Sequence, residues 1–478
     1  FFADPARMVA RSVKPPMIDL ANEDLIKSHL HAVWLAETGQ KLGSSVKESL
    51  DLEKPDTLPV RQDLATFMDT HPVRERAAKR AIAILAMVEN ELTSDVAPWY
   101  GPEWQGNIIN ASFHQFNQAF DRWRSLYRAT AKQMEKSHAV QMNAAATEKD
   151  RKDAKQRYDE ARIQQDLLLD TRATMNSDFY TYRFLASQGF LPGYNFPRLP
   201  LMAFIPGRRE KVGRDAFLSR PRFLGLSEFG PQSIIYHEGS TYRVRKAILG
   251  IKDEESVSTS ATLPVQTARL CPACGYGHFG DQKEFELCVN CANPLEGGRN
   301  LISLYRIEQV STRRASRITS DEEERQRQGY ETATTFRYAE ENGLPRFTSL
   351  KVSEGDDELL NIRYGPTAAL WRINLGWRRR KEKSICGFNI DVASGVWSKD
   401  AQAPEDVDDT LEQGKSIQRI TPYVEDRRNI LILQSKELLD EATMATLQYA
   451  FKRGIESTFQ LEESELAARY LEMGKASS

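Results

Sequence analysis

The chain is expected to fold as an α+β protein: a helical first part with a long helical hairpin or coiled-coil arm, then a β-rich part carrying a four-cysteine zinc ribbon and a C-terminal helix. Three observations predict this. Apolar residues recur at helical spacing up to about residue 188. Short strand-like runs between turn residues follow. Four of the five cysteines fall between residues 271 and 291 as two Cys-x2-Cys pairs.

Residues 1–56 read as a connector, with one helix capped by Asn22, carrying Leu25, Leu30, Val33 and Trp34 on its apolar side and ended by Gly39. Residues 57–188 read as a helical domain. After His71-Pro72 a helix rich in Ala and Arg runs from Arg74 to Met87. Phe113, Phe116, Phe120, Trp123, Tyr127 and Met134 then recur mostly every three or four residues, a stripe better suited to a core than to stacking on bases. The charged stretch Gln133 to Arg172 holds no Gly or Pro and continues the stripe into a projecting arm that braces neighbouring domains or touches a partner.

Residues 189–262 form a basic, β-rich segment, with strand-like runs at Ser233 to Tyr236 and Thr241 to Ile248 joined by the turn His237-Glu238-Gly239-Ser240. Residues 263–300 hold the ribbon. Residues 301–478 form an α+β domain with strands expected at Leu301 to Glu308, Thr332 to Tyr338, Glu358 to Tyr364, Ala369 to Asn374 and Ile385 to Ile390. Ser320 and Glu323 have capping-box spacing for a short helix, and a last helix from Asp440 to Arg453 is expected to stop at Gly454.

The spacing Cys271-x2-Cys274, thirteen residues, Cys288-x2-Cys291 suits one tetrahedral ion held by four soft thiolates, leaving no open position for water, hence a structural zinc. Pro272 and Gly275 suit the first knuckle, and Asn290, Asn293 and Pro294 the second. Two disulfides are the alternative, disfavoured for a charged chain with no secretory signal, which is expected in the reducing cytoplasm. His278 is a candidate substitute ligand beside a complete set, and Cys386 reads as a small apolar residue.

With 28% charged residues and a net charge of −2, the composition describes a soluble protein, and no apolar run approaches the roughly 20 residues that span a bilayer. No membrane partner is expected. The opening Phe1-Phe2-Ala3-Asp4-Pro5 is expected to lie inside a longer polypeptide. Charge is uneven: residues 195–250 carry ten Lys/Arg against four Asp/Glu, so this stretch suits phosphate, whereas residues 400–478 carry sixteen acids against nine bases. Gly414-Lys415-Ser416 has Asp409 where a phosphate loop needs its first glycine, and acids precede it, so it is not read as a nucleotide site. No His-Glu-x-x-His or nucleophile elbow is found, and no catalytic residue is assigned.

Two basic segments are nucleic-acid candidates. Trp371, Arg372, Trp377, Arg378, Arg379, Arg380 and Lys381 interleave stacking surfaces with cations, and equally fit a strand with buried Trp residues ending in a solvated hairpin. Arg208, Arg209, Lys211, Arg214, Arg220 and Arg222 suit phosphate contact or a solvated loop.

Leu191-Pro192-Gly193-Tyr194-Asn195-Phe196-Pro197-Arg198, the four cysteines, Ile318 to Tyr330, Thr446-Leu447-Gln448 and Phe459 to Glu465, taken in order, resemble the C-terminal zinc-binding region of large bacterial superfamily-two DEAD/DEAH-box helicases. Such regions occur in MrfA-type repair helicases and in components of the DISARM and Druantia phage-defence systems. The resemblance implies zinc on Cys271, Cys274, Cys288 and Cys291, an ATP and Mg site only in upstream motor domains, and DNA, those motor domains and other defence subunits as partners. It departs from the full helicase pattern in having no phosphate loop, acidic box or arginine finger here.

Overall fold

The computed structural model describes residues 22–93, 97, 99–169, 179–193, 199–206, 216–249, 263–317, 329–341, 344–392, 394–398, 417–437, 439–463 and 465–469. The helical part comprises α1 (Glu23–Thr38), α2 (Gln62–Met68), α3 (His71–Ala86), α4 (Trp104–Gln118), α5 (Asp121–Met142), α6 (Glu148–Leu168) and α7 (Thr181–Ser187). As expected, the Asn22 side chain accepts from the Leu25 amide at 3.2 Å and opens α1, while Gly39 in the left-handed region closes it. The aromatic stripe is core: Trp34, Phe116, Phe120 and Trp123 are fully buried, and Phe116 meets Phe120 edge-to-face at 5.0 Å.

The arm is the pair α5 and α6. Its turn is set by Thr147, which exchanges bonds with Asp150 in a capping box at the start of α6. A break at residues 119–120 separates α4 from α5, so the hairpin begins after the first half of the aromatic stripe. Buried Arg124 ties this break down, donating to the backbone oxygens of Leu58 and Asn117 and to the Asp121 carboxylate.

The β part begins with β1 (Leu201–Ile205), β2 (Ala216–Arg220), α8 (Arg222–Glu228), β3 (Ile234–His237) and β4 (Ser240–Ala247). The turn at Glu238-Gly239 has positive φ at both residues, which fits a tight antiparallel hairpin. Next come β5 (Gln266–Leu270), β6 (Gly277–Phe279), β7 (Arg299–Arg306), β8 (Gln309–Arg317), β9 (Tyr330–Arg337), β10 (Glu340–Glu341), β11 (Leu344–Pro345), β12 (Thr348–Glu354), β13 (Asp357–Trp377), β14 (Phe388–Asp391), β15 (Ile417–Ser435) and α9 (Glu441–Phe459). One sheet has the order β2-β1-β8-β4-β3. The larger runs β12-β13-β15-β7-β5-β6, with β9 also on β13 and β14 also on β15.

Three differences from the sequence expectation have physical causes. The two strands expected at 358–364 and 369–374 are one 21-residue strand, β13, with a register shift between Gly365 and Ala368. A side chain at Gly365 would land in the Tyr338 ring, so glycine lets that ring pack on the bent strand. The last helix runs through Gly454 to Phe459 and ends where Gln460 takes the left-handed conformation and donates to the Glu456 oxygen. One interior glycine weakens a helix by only about 1 kcal/mol, too little to stop one already capped by Asp440. β8 and β15 had no counterpart in the expectation. The proposed helix at Ser320 and Glu323 lies outside the described residues.

Gly365→Ala is expected to destabilise the protein by about 1–3 kcal/mol through overpacking against Tyr338. Urea unfolding with an unchanged midpoint would contradict that close approach.

Candidate metal centre

Two knuckles present the cysteines. In the first, the Gly275 amide donates to the Cys271 oxygen at 3.0 Å, and in the second the Ala292 amide donates to the Cys288 oxygen at 2.8 Å. Both turns close with a left-handed residue directly after the second cysteine: Gly275 at φ 69° and Ala292 at φ 56°. Glycine takes this conformation without penalty, whereas alanine accepts a small strain, which is why the second turn was not marked by its residue type.

The four Sγ atoms lie within 4.8 Å of one another. Cys271 Sγ is 3.7 Å from Cys291 Sγ, and Cys274 Sγ is 3.6 Å from Cys288 Sγ. A tetrahedral ion with bonds of about 2.3 Å requires sulfurs about 3.8 Å apart, whereas a disulfide requires about 2 Å. All the cysteines are free thiols, so the disulfide alternative falls and the donor set fits a metal ion. Its chemistry favours zinc or another thiophilic ion. When bound, such an ion supplies cross-linking charge and no open catalytic position.

Polar donors surround the sulfurs. The Asn290 amide nitrogens reach Cys288 and Cys274, each at 3.4 Å, and the Asn293 side chain reaches Cys291 at 3.4 Å. Burial pushes the Cys271 thiol up to about 11. The contact between Cys274 and Cys288 pushes the first thiol up and the second down. Four thiolates together at such distances repel strongly, and a divalent cation relieves that repulsion.

His278, the candidate substitute ligand, is fully buried and stands outside the four-sulfur set. Its ring nitrogens make no hydrogen bond of normal geometry, yet it is near enough to Cys288 to favour the thiolate. Cys386 packs against the Trp371 cluster but is only partly buried, less enclosed than the small buried apolar residue expected.

An aromatic block mounts the knuckles on the large sheet. Buried Tyr276 meets Phe336 edge-to-face at 5.6 Å, Phe336 meets Tyr338 at 5.3 Å, and Thr335 Oγ1 donates to the Gly275 oxygen at 2.7 Å. Phe279, at the end of β6, lies 4.3 Å from Trp371 on β13.

The aromatic members of the basic segment are thereby placed. Trp371 is 7% exposed and packs on Phe279, while Trp377 stacks on Tyr330 at 4.9 Å and meets Phe388 at 5.7 Å. Both indoles pack against core rings in this structure, Trp371 buried and Trp377 half-buried. Arg372 is half-buried, and desolvation followed by the charge of Arg469 holds its guanidinium below its ordinary pKa. Arg380 is tied to Glu331 at 2.7 Å. Arg378, Arg379 and Lys381 are exposed on the loop that follows β13. Arg220 pairs with Glu228 at 3.0 Å, Arg222 donates to the Glu425 oxygen, and Arg208, Arg209, Lys211 and Arg214 lie outside the described residues.

Fold and site define an α+β protein with four cysteines positioned to bind a metal ion. Compared with known proteins, the chain matches no family model, no curated protein and no solved structure. Among the described residues, no helix is long and apolar enough to cross a membrane.

Bound metal is expected at one ion per chain by elemental analysis. Its removal with a strong chelator, or Cys288→Ser, should lower the melting temperature, because metal-binding energy here is folding energy. Folded protein that contains no metal and melts unchanged after chelation would refute the assignment.

Proposed function

We propose that the chain is a non-catalytic, metal-stabilised region that grips DNA beside an ATP-dependent helicase or translocase motor of bacterial phage defence or DNA repair. The observation that carries this reading is the four-thiolate site mounted on the strand that ends in the exposed cations Arg378, Arg379 and Lys381. The resemblance to helicase C-terminal regions supports the motor as partner, with ATP and Mg bound there and not here.

The loop's chemistry suits phosphate. Glu331 pairs with both Arg380 and Lys383 at its base, at 2.7 and 3.3 Å, and so holds the turn in shape while Arg378 and Arg379 stay in solvent. Guanidinium groups so placed contact phosphate oxygens in pairs and carry little sequence preference.

A second reading, a scaffold that assembles defence subunits without touching DNA, draws on exposed apolar side chains. Tyr449 and Phe459 on α9 are 67% and 69% exposed, and Leu350 on the edge strand β12 is 61% exposed.

Salt-titrated binding of the chain to single- and double-stranded DNA separates the two. Arg378→Ala with Arg379→Ala should weaken binding across all sequences and flatten the salt dependence by about 1 to 2 in slope. Wild-type protein without salt-sensitive DNA binding would remove the first reading and leave the scaffold.

A further inference from the structure

Between the α5–α6 arm and the β sheets lies a cleft of about 1820 Å³, well beyond the roughly 300–1,000 Å³ typical of small-molecule sites. Its walls come from α1, the end of α4, α5 and α6 on one side, and from β4, β7, β8 and the approach to β5 on the other. The walls are pinned together. Arg122 on α5 donates to the backbone oxygens of Pro200 at 2.7 Å and Glu308 at 3.1 Å, and Lys246 on β4 pairs with Glu160 on α6 at 3.2 Å.

The charge of this lining differs from that of the chain. Nine Lys/Arg face four Asp/Glu there, although the whole protein has a net charge of −2. Three of the four carboxylates are already matched: Asp121 to Arg124 at 2.7 Å, Glu160 to Lys246, and Glu308 to Arg306 at 3.4 Å. The lining cations beyond these three pairs include Lys27, Lys132, Lys136 and Arg157. Arg128, Lys132 and Lys136 follow one another at four-residue intervals on α5, which sets successive cations about 6 Å apart along one face.

The remaining lining is mixed: Gln115, Gln118, Gln133 and Gln164 lie among apolar residues such as Leu249 and Val265. The aromatic rings Tyr305 and Tyr423 in the floor are only 5% exposed. The ladder of cations on α5, with the amides beside it, suits a sugar–phosphate backbone, followed without reading bases.

We infer that this cleft is a groove for the backbone of a single nucleic-acid strand. The inference rests on the DNA-gripping reading above and moves the main contact from the Arg378–Arg379 loop to the arm.

The test uses the full chain, a labelled oligothymidylate and salt-titrated anisotropy, with Lys132→Ala, Lys136→Ala and Arg157→Ala combined. All three side chains are exposed, so the melting temperature should hold. Affinity should fall about tenfold or more at low salt, and the salt slope should shrink by about 2, since each lost phosphate contact removes roughly 0.7. Oligomers carrying 4-thiothymidine should photocrosslink to α5, α6 or β4. Unchanged affinity and slope in the triple variant, with crosslinks confined to residues 378–381, would overturn the groove and leave DNA gripping standing. No salt-sensitive binding by the wild type would overturn both. Binding of polyglutamate but not oligothymidylate, lost in the triple variant, would make the cleft a protein-docking groove and also overturn the inference.

Discussion

The pairing of β13 with β15 organises the β half of the molecule. Both strands are too long for one core, 21 and 19 residues, and they stay paired from Leu360–Ser435 to Ile373–Tyr423 across one register shift. At one end the pair carries β12 and a largely exposed edge; at the other it takes up β9, and β15 runs parallel to β7. Trp371, Ile373 and Leu375 on β13 enter the core that receives Phe279 from the knuckles. The metal site is therefore seated on a strand whose far end presents the basic loop.

The helical capping signals were legible in the chain because they are local. Asn22 and Gly39 act through bonds to residues three positions away, and each sits where the sequence reading placed it. The cysteine site was legible for the same reason, since each knuckle closes within five residues. What was missed depends on distant partners. β15 has exposed charged residues Arg427 and Arg428 at its middle and reads as a loop until β13 pairs with it. β8 is rich in Arg, Ser and Thr and becomes a strand only between β1 and β4. The two Trp residues show the same limit: alternation with arginine fits a core strand and a stacking surface alike, and only their distant neighbours Phe279 and Tyr330 show how they pack.

The cations divide into two kinds by what their partners do. Arg122, Arg124 and Arg380 each spend several donors on backbone oxygens or a carboxylate and have side chains only 7–8% exposed, so they hold segments together. Buried guanidinium groups of this kind are poor ligands for an incoming phosphate, because exchange would leave carbonyl oxygens or a carboxylate unpaired. Lys132, Lys136, Arg157, Arg378 and Arg379 are solvent-facing and can bind anions without breaking the fold. A basic run in the sequence cannot show this division, since Arg378, Arg379 and Arg380 are adjacent yet differ in it.

β5 links the two candidate sites. Gln266 at its start lines the cleft and donates to the Tyr423 hydroxyl, while Cys271 follows its last residue, Leu270. Five residues of strand at about 3.3 Å each put the cleft and the cysteine quartet at opposite ends of one short, paired element. β5 is held laterally by β7 and β6, and β6 belongs to the knuckle itself. An ion that fixes the knuckles thus fixes β6 and the end of β5, and through them the sheet edge that forms one wall of the cleft. An ion held by the four cysteines would order this wall of the cleft without contacting the cleft itself.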